Sequence, residues 1–160
     1  MKKLNLGCGE EYRTGWVNVD CRNNVKVDVK WDLEKFPYPF KDNQFDEVLM
    51  GHVLEHLIDP IRVLREIIRI SKNKAKVIVE VPHAISYANI ASIQHKANFT
   101  ENSFTPEHLK EYDLEQLKLI KNEFVYKNKW KRFIPFRGHL KIFLNGVYDD
   151  LLFEFIVNKS

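Results

Sequence analysis

The tightest constraint on this chain is a series of short apolar runs, each followed at once by small, acidic or histidine residues. Lys3 to Leu6 reads as a strand stopped by Gly7-Cys8-Gly9, and Trp16 to Asp20 as a second strand ending in a carboxylate. Val25 to Val29 alternates cleanly and predicts a third, followed by Asp32-Leu33. Phe45 to Met50 is an apolar run suited to a buried parallel strand, and Gly51-His52-Val53-Leu54-Glu55-His56 follows it. Ala75 to Val81 predicts a fifth strand, ended by Pro82 with His83 behind it. Between the last two, Asp59 caps and Pro60 opens a helix whose Ile61, Leu64, Ile67 and Ile68 share one face. Thr105-Pro106 opens another helix by the same logic, while Glu123 to Trp130 and Leu151 to Val157 read as late strands. Strands joined by crossovers predict an α/β fold with an open, doubly wound, mostly parallel sheet. In that architecture a ligand sits beyond the carboxyl ends of the strands, where the unusual residues fall.

Length and composition narrow the class. A chain of 160 residues without a repeat, low-complexity tract or Gly/Ser linker predicts one domain, 1–160. With 44% hydrophobic and 29% charged residues it is neither disordered nor fibrous. No apolar run approaches the ~20 residues that cross a bilayer, so no membrane insertion is expected. Met1-Lys2-Lys3 leads straight into the first strand, leaving no room for the apolar core of a signal peptide. Cys8 and Cys21 are too few and too far apart for a disulfide framework or a zinc site. A reduced, cytoplasmic protein is expected. The net charge of +3 hides an asymmetry: residues 118–141 hold eight Lys or Arg against one acid, Glu123. Phe124, Tyr126, Trp130, Phe133 and Phe136 are interleaved there, and Lys131, Arg132 and Arg137 cluster beside them. Such a segment suits a phosphate-bearing substrate, RNA or an anionic membrane surface, or is simply a solvated basic face.

Taken in order, Leu4-Asn5-Leu6-Gly7-Cys8-Gly9, Gly15-Trp16-Val17-Asn18-Val19-Asp20, Asp32-Leu33, Phe36-Pro37-Tyr38-Pro39-Phe40, Asp42-Asn43-Gln44-Phe45-Asp46 and His52-Val53-Leu54-Glu55-His56-Leu57 resemble the class I S-adenosylmethionine-dependent methyltransferases. Within that family the chain looks most like the small stand-alone branch that accompanies bacterial carbohydrate-modifying enzymes. The resemblance implies a Rossmann-like sheet with an antiparallel last strand and S-adenosyl-L-methionine as cofactor. It also implies cofactor contacts from Asn5, Gly7, Cys8, Gly9, Asp20, Cys21, Asp32, Leu33, Gly51 and His52. Gly7 and Gly9 would face the methionine portion, Asp20 the ribose, Asp32 and Leu33 the adenine, and Gly51 with His52 the sulfonium. Asp46 would be structural. Three departures stand out: Asn5 replaces the usual acid, Glu11 replaces a frequent third glycine, and only 13 residues separate Gly7 from Asp20. The first crossover helix is therefore expected to shrink to a loop, and an N-terminal lid helix is missing.

The expected activity is methyl transfer to a small polar acceptor, a sugar or glycan-precursor hydroxyl, with the alternative of an inactive methyltransferase-fold binding module. Nucleic acid is not the expected partner, because Met50-Gly51-His52-Val53 stands where base-amine enzymes carry Asp-x-x-Tyr or Asn-Pro-Pro-Tyr. A nicotinamide site is disfavoured, since the third glycine of G-x-G-x-x-G falls at Tyr12. A hydroxyl acceptor needs a general base, and His52 and His83, which follow the fourth and fifth strands, are the candidate catalytic residues. His95 reads as a wall residue. His52, Glu55 and His56 stand about one helical turn apart, but Glu55-His56 recurs in relatives as a helix-start element, and no metal is expected.

Overall fold

The computed structural model of the chain describes residues 1–127, 133, 135 and 147–159. Seven strands form one sheet in the order β3-β2-β1-β4-β5-β7-β6. They are β1 (Lys3–Leu6), β2 (Val17–Asp20), β3 (Val29–Lys30), β4 (Phe45–Gly51), β5 (Ser71–Pro82), β6 (Leu117–Val125) and β7 (Asp150–Val157). β1 to β5 pair in parallel, and β7 runs antiparallel to both β5 and β6. This is the α/β, mostly parallel sheet with a reversed last strand that the sequence predicts. Reversal of β7 sets its first residue, Asp150, opposite Pro82, so Asp150 reaches the end of the sheet where β4 and β5 finish.

The core lies along β1, β4, β5 and β7. Leu4, Leu6, Phe45, Val48, Met50, Val77, Val79, Phe153 and Phe155 are fully buried. Phe104 packs edge-on against Phe153 and Phe155 at ring distances of 4.8 and 5.3 Å. Helix α1 (Pro60–Ile70) carries β4 into β5; Asp59 accepts the Arg62 N–H at 2.9 Å and Pro60 stands at the first turn. Its Val63, Leu64, Ile67 and Ile68 are buried. Arg69 ties the helix to the preceding loop, forking onto Glu66 at 2.8 Å per bond and donating to the carbonyls of Tyr38 and Phe40. Helices α2 (Tyr87–Ala91) and α3 (Pro106–Glu111) lie between β5 and β6. Among the described residues no helix is long and apolar enough to cross a membrane.

Two element boundaries differ from the sequence reading. Val25, Val27 and Val29 do alternate in burial, but only Val29–Lys30 joins the sheet. The reason lies in β2: the Asn18 N–H that a third strand's carbonyl would accept is bound instead by the Asp28 carboxylate at 2.7 Å. The sixth strand is Leu117–Val125, beginning before the predicted start at Glu123; the end of the predicted run, 128–130, lies outside the described residues. It is an edge strand, exposed at Lys118, Ile120, Lys121 and Asn122, so its apolar signal is diluted by the charges that protect an edge. Lys131, Arg132 and Arg137 of the basic segment lie outside the described residues.

The helix-free first crossover is held by polar side chains. Asn5 donates to the Glu11 carbonyl at 2.9 Å and to Asn18 Oδ1 at 3.2 Å. Asn18 also accepts the Arg13 N–H and donates to the carbonyls of Arg13 and Trp16 and to Asp28. Tyr12 donates to Asp28 at 2.9 Å. These bonds satisfy backbone groups that a helix would otherwise have paired internally.

Candidate cofactor and acceptor cleft

A cavity of about 630 Å³ opens where β1, β2 and β4 end, within the range of small-molecule sites. The turn after β1 forms its floor. Gly7 and Gly9 both take positive φ, +66° and +53°, and a Cβ on Gly7 would stand 2.3 Å from Val53 Cγ2. Only glycine permits that turn, which lets the Gly9 N–H reach Asp20 Oδ2 at 2.8 Å. Asp20 Oδ1 accepts the Arg22 N–H at 2.9 Å and its Nε at 3.3 Å. Burial works to raise the Asp20 pKa, but the backbone donors of Arg22 and Gly9 and the Arg22 guanidinium outweigh it and hold the carboxyl below its ordinary value. An ionised carboxylate therefore stands in the cavity wall.

Of the ten sequence-predicted cofactor residues, Gly7, Asp20, Cys21, Asp32, Leu33 and His52 line this cavity. Asn5, Cys8, Gly9 and Gly51 are not among its lining residues. Asn5 is buried and spends its amide on the crossover. The buried Cys8 thiol turns toward the carbonyls of Gly9 and Lys26, and burial pushes its pKa up, away from thiolate chemistry. Gly9 acts through its backbone bond to Asp20. Gly51 pairs with Glu80 in the β4–β5 ladder.

The two histidines proposed as bases have separate fates. His83 is buried; the Ile85 N–H donates to its Nδ1 at 3.2 Å, so the proton sits on Nε2, which donates to Glu101 at 3.1 Å. Both ring nitrogens are engaged, the ring packs on Tyr148 and Phe124, and it does not line the cavity. Its position after β5 was a correct reading, but its ring turns into the protein. His52 does reach the cavity, with a left-handed backbone (φ +53°) that is unusual outside glycine. Glu55 lies 3.6 Å from Nδ1, and Glu80 and Asp150 lie 3.7 and 3.9 Å from Nε2. Glu55 and Glu80 together push the His52 pKa up to about 10, against the opposing effect of burial. An imidazole so surrounded holds its proton at neutral pH and donates, contrary to the base expected from its intrinsic pKa.

The sequence reading did not single out the lining residues Arg22, Trp31, Val53 and Leu57, nor Ile93, Gln94 and Lys96. Trp31 follows β3 directly, so the rule that ligands meet residues just past a strand would have found it. Ile93, Gln94 and Lys96 come from the loop after α2, 40 to 43 residues further along the chain than Val53, and no local signal points to them. The lining is chemically mixed. Trp31, Leu33, Val53 and Leu57 contribute apolar surface, while Asp20 and Asp32 contribute carboxylates. An adenosine fits that set: apolar surface for the base, and a carboxylate for vicinal hydroxyls.

Comparison with known proteins agrees with this chemistry. Residues 17–79 match the family model described as a methyltransferase domain. The chain is 38% identical over 93 residues to the uncharacterized protein MJ0638 of Methanocaldococcus jannaschii, an alignment spanning 55% of this chain and 37% of that protein. The chain thus matches little more than a third of the length of that curated relative. An S-adenosylmethionine-dependent methyltransferase of Archaeoglobus fulgidus superposes with a TM-score of 0.70 at 20% identity, covering 97% of this chain and 85% of its own. One from Mesorhizobium loti gives 0.67 at 15% identity, over 97% and 90%. Residues 17–79 thus match a methyltransferase-domain model, and the fold is the one these S-adenosylmethionine-dependent methyltransferases share.

Proposed function

We propose that this chain is an enzyme that transfers a methyl group from S-adenosylmethionine to a hydroxyl of a small polar acceptor, of the sugar or glycan-precursor class. The observation that carries the first half is the ionised Asp20 carboxylate set in the cavity wall by the Gly7–Gly9 turn, among apolar lining residues. S-adenosylmethionine supplies a methyl carbon already activated by positive sulfur. The residues of the chain then have three tasks. Asp20 accepts the ribose hydroxyls through the lone pairs that Gly9 and Arg22 leave, with the half-exposed Arg22 side chain drawing back from Oδ1. Trp31, Leu33, Val53 and Leu57 hold the base and exclude water from it. His52, held between Glu55 and Glu80, stands on the acceptor side and orients an acceptor oxygen for in-line attack; as the O–CH3 bond forms and the S–CH3 bond breaks, the hydroxyl proton passes to the partly exposed Glu80 carboxylate beside His52 and from there to water.

The acceptor class rests on the carbohydrate-branch resemblance and on the mixed polar lining, His52, His56, Gln94 and Lys96, which suits hydroxyls and an anionic group such as a phosphate carried by the acceptor. The test is incubation with methyl-labelled cofactor and, in parallel, nucleotide-sugars, lipid-linked sugar phosphates, RNA and protein. Label should enter a sugar fraction. Label in RNA or protein alone would overturn the acceptor class, and cofactor binding with label in none would return the binding-module reading.

A further inference from the structure

Helix α2 is built inside out. Ser86 caps it by accepting the Asn89 N–H, and the residue it buries is Asn89, whose side chain is an amide. That amide donates to the Ala84 carbonyl at 3.0 Å and to Asn98 Oδ1 at 2.7 Å, and its oxygen faces His95 Nδ1 at 2.8 Å. Hydrogen bonds therefore fix the inner face, and the apolar side chains are left outside. Tyr87 and Ile90, one turn apart, are 79% and 56% exposed, and Ile93 in the loop that follows is fully exposed. Folded chains ordinarily set these preferences the other way round, so an outward apolar face backed by a buried amide calls for an occupant.

This face borders the cofactor cavity. Ile93 lines the cavity together with Gln94 and Lys96. Lys96 Nζ lies 3.3 Å from Glu34 Oε1, which also accepts the Ile58 N–H at 2.9 Å. Ile58 is 70% exposed and follows Leu57 of the cavity lining, so it continues the apolar rim. The charge of the region is one-sided. Residues 81–100 contain no Asp or Glu. The sequence from 128 to 146 holds Lys129, Lys131, Arg132, Arg137 and Lys141 and no acid. The strand residues on either side of that stretch, Val125 and Asp150, pair at the end of the sheet where β5 passes toward α2.

We infer that Tyr87, Ile90, Ile93 and Ile58 form a docking face for an anionic phospholipid bilayer, on which the chain lies without crossing it. Apolar side chains with no acid among them enter the headgroup boundary, a tyrosine suits the water side of that boundary, and basic residues hold to anionic headgroups. A protein partner fits the face less well, because four side chains fall far short of the roughly 20–30 residues a side that a stable protein interface uses. RNA fits it less well too, since three of the four side chains are aliphatic and give a base no ring to stack on. Docking in this way brings the Ile93 edge of the cavity to the headgroups, where a lipid-linked sugar phosphate presents its sugar; only that last step rests on the acceptor reading.

Flotation of the full-length protein with vesicles, without cofactor or acceptor, tests the face separately from that reading. Wild type should float with equimolar phosphatidylcholine and phosphatidylglycerol, several-fold less with phosphatidylcholine alone, and less as salt rises. Tyr87→Ser/Ile90→Ser should lower the partition at least about tenfold, which burial of one large apolar side chain is worth. Its circular dichroism and melting temperature should match the wild type, because both side chains are exposed. Ile120→Ser, which removes an equally exposed isoleucine from the edge strand β6, should float as the wild type does. Ile90→Trp should gain fluorescence that brominated acyl chains quench. No flotation of the wild type with the anionic vesicles would overturn the face. So would a double variant that floats as well as wild type, an Ile90→Trp protein quenched no more than wild type, or a wild-type dimer that the double substitution dissolves in light scattering.

Discussion

Asp20 shows how one carboxylate is asked to serve structure and ligand at once. It accepts two backbone N–H groups, so Asp20→Ala would orphan Gly9 and Arg22 and confuse a binding defect with a folding one. Asp20→Asn keeps one of the two accepting oxygens and removes the charge, so its affinity is read beside its own melting temperature. It should weaken S-adenosylhomocysteine by about tenfold or more, since a charge-assisted bond is worth on the order of 1.5–3 kcal/mol. Calorimetry with unchanged affinity would remove Asp20 from the ribose. The carboxyl's pKa is lowered by folding, so its contribution to stability is present above the unfolded value near 3.9 and is lost as pH falls through the lower folded value. The stability gap between wild type and Asp20→Asn should accordingly be widest at neutral pH and close in acid, as urea melts from pH 7 to 3 would show. At this scale the sequence was a good guide to positions and a poor one to side-chain direction. Asp20 ends its strand, Asp32 and His52 follow theirs, and all three reach the cavity; His83 follows its strand equally well and turns away.

Among the elements, the first crossover is the most distinctive. Its brevity was legible in the 13 residues from Gly7 to Asp20, but the device that makes it work was not. Asn5 stands where the methyltransferases this sequence resembles usually carry an acid, and its amide donates to Glu11 and Asn18. Asn5→Asp would turn carboxylate oxygens toward the Glu11 carbonyl and Asn18 Oδ1 at a site that is 3% exposed. The expected loss is about 1–3 kcal/mol, or several degrees in melting temperature. A variant as stable as wild type would show that the crossover does not depend on those donors. The same polar clamp explains why β3 is shorter than its alternating valines suggest, for Asp28 is drawn to Asn18 and Tyr12 before the ladder begins. The start of helix α1, by contrast, was legible to the residue, because its Asp59 cap, Pro60 start and apolar stripe agree.

For the molecule as a whole, the ordering of strands around β1 and β4 gathers into one cavity residues that are scattered from Gly7 to Lys96. The part of that cavity built from strand ends could be read in sequence; the part built from the loop after α2 could not, since it depends on a long-range fold-back pinned at Glu55. The central claim is that the cavity accepts the adenosyl cofactor, and ligand-dependent melting of the wild-type chain measures this most directly. At a hundred times its dissociation constant, S-adenosylhomocysteine should add about 2.7 kcal/mol of stability, several degrees in melting temperature, and calorimetry should give one site. NAD and NADP at the same concentration should leave the melting temperature unchanged. A shift with the nicotinamide cofactors and none with S-adenosylhomocysteine would contradict the account.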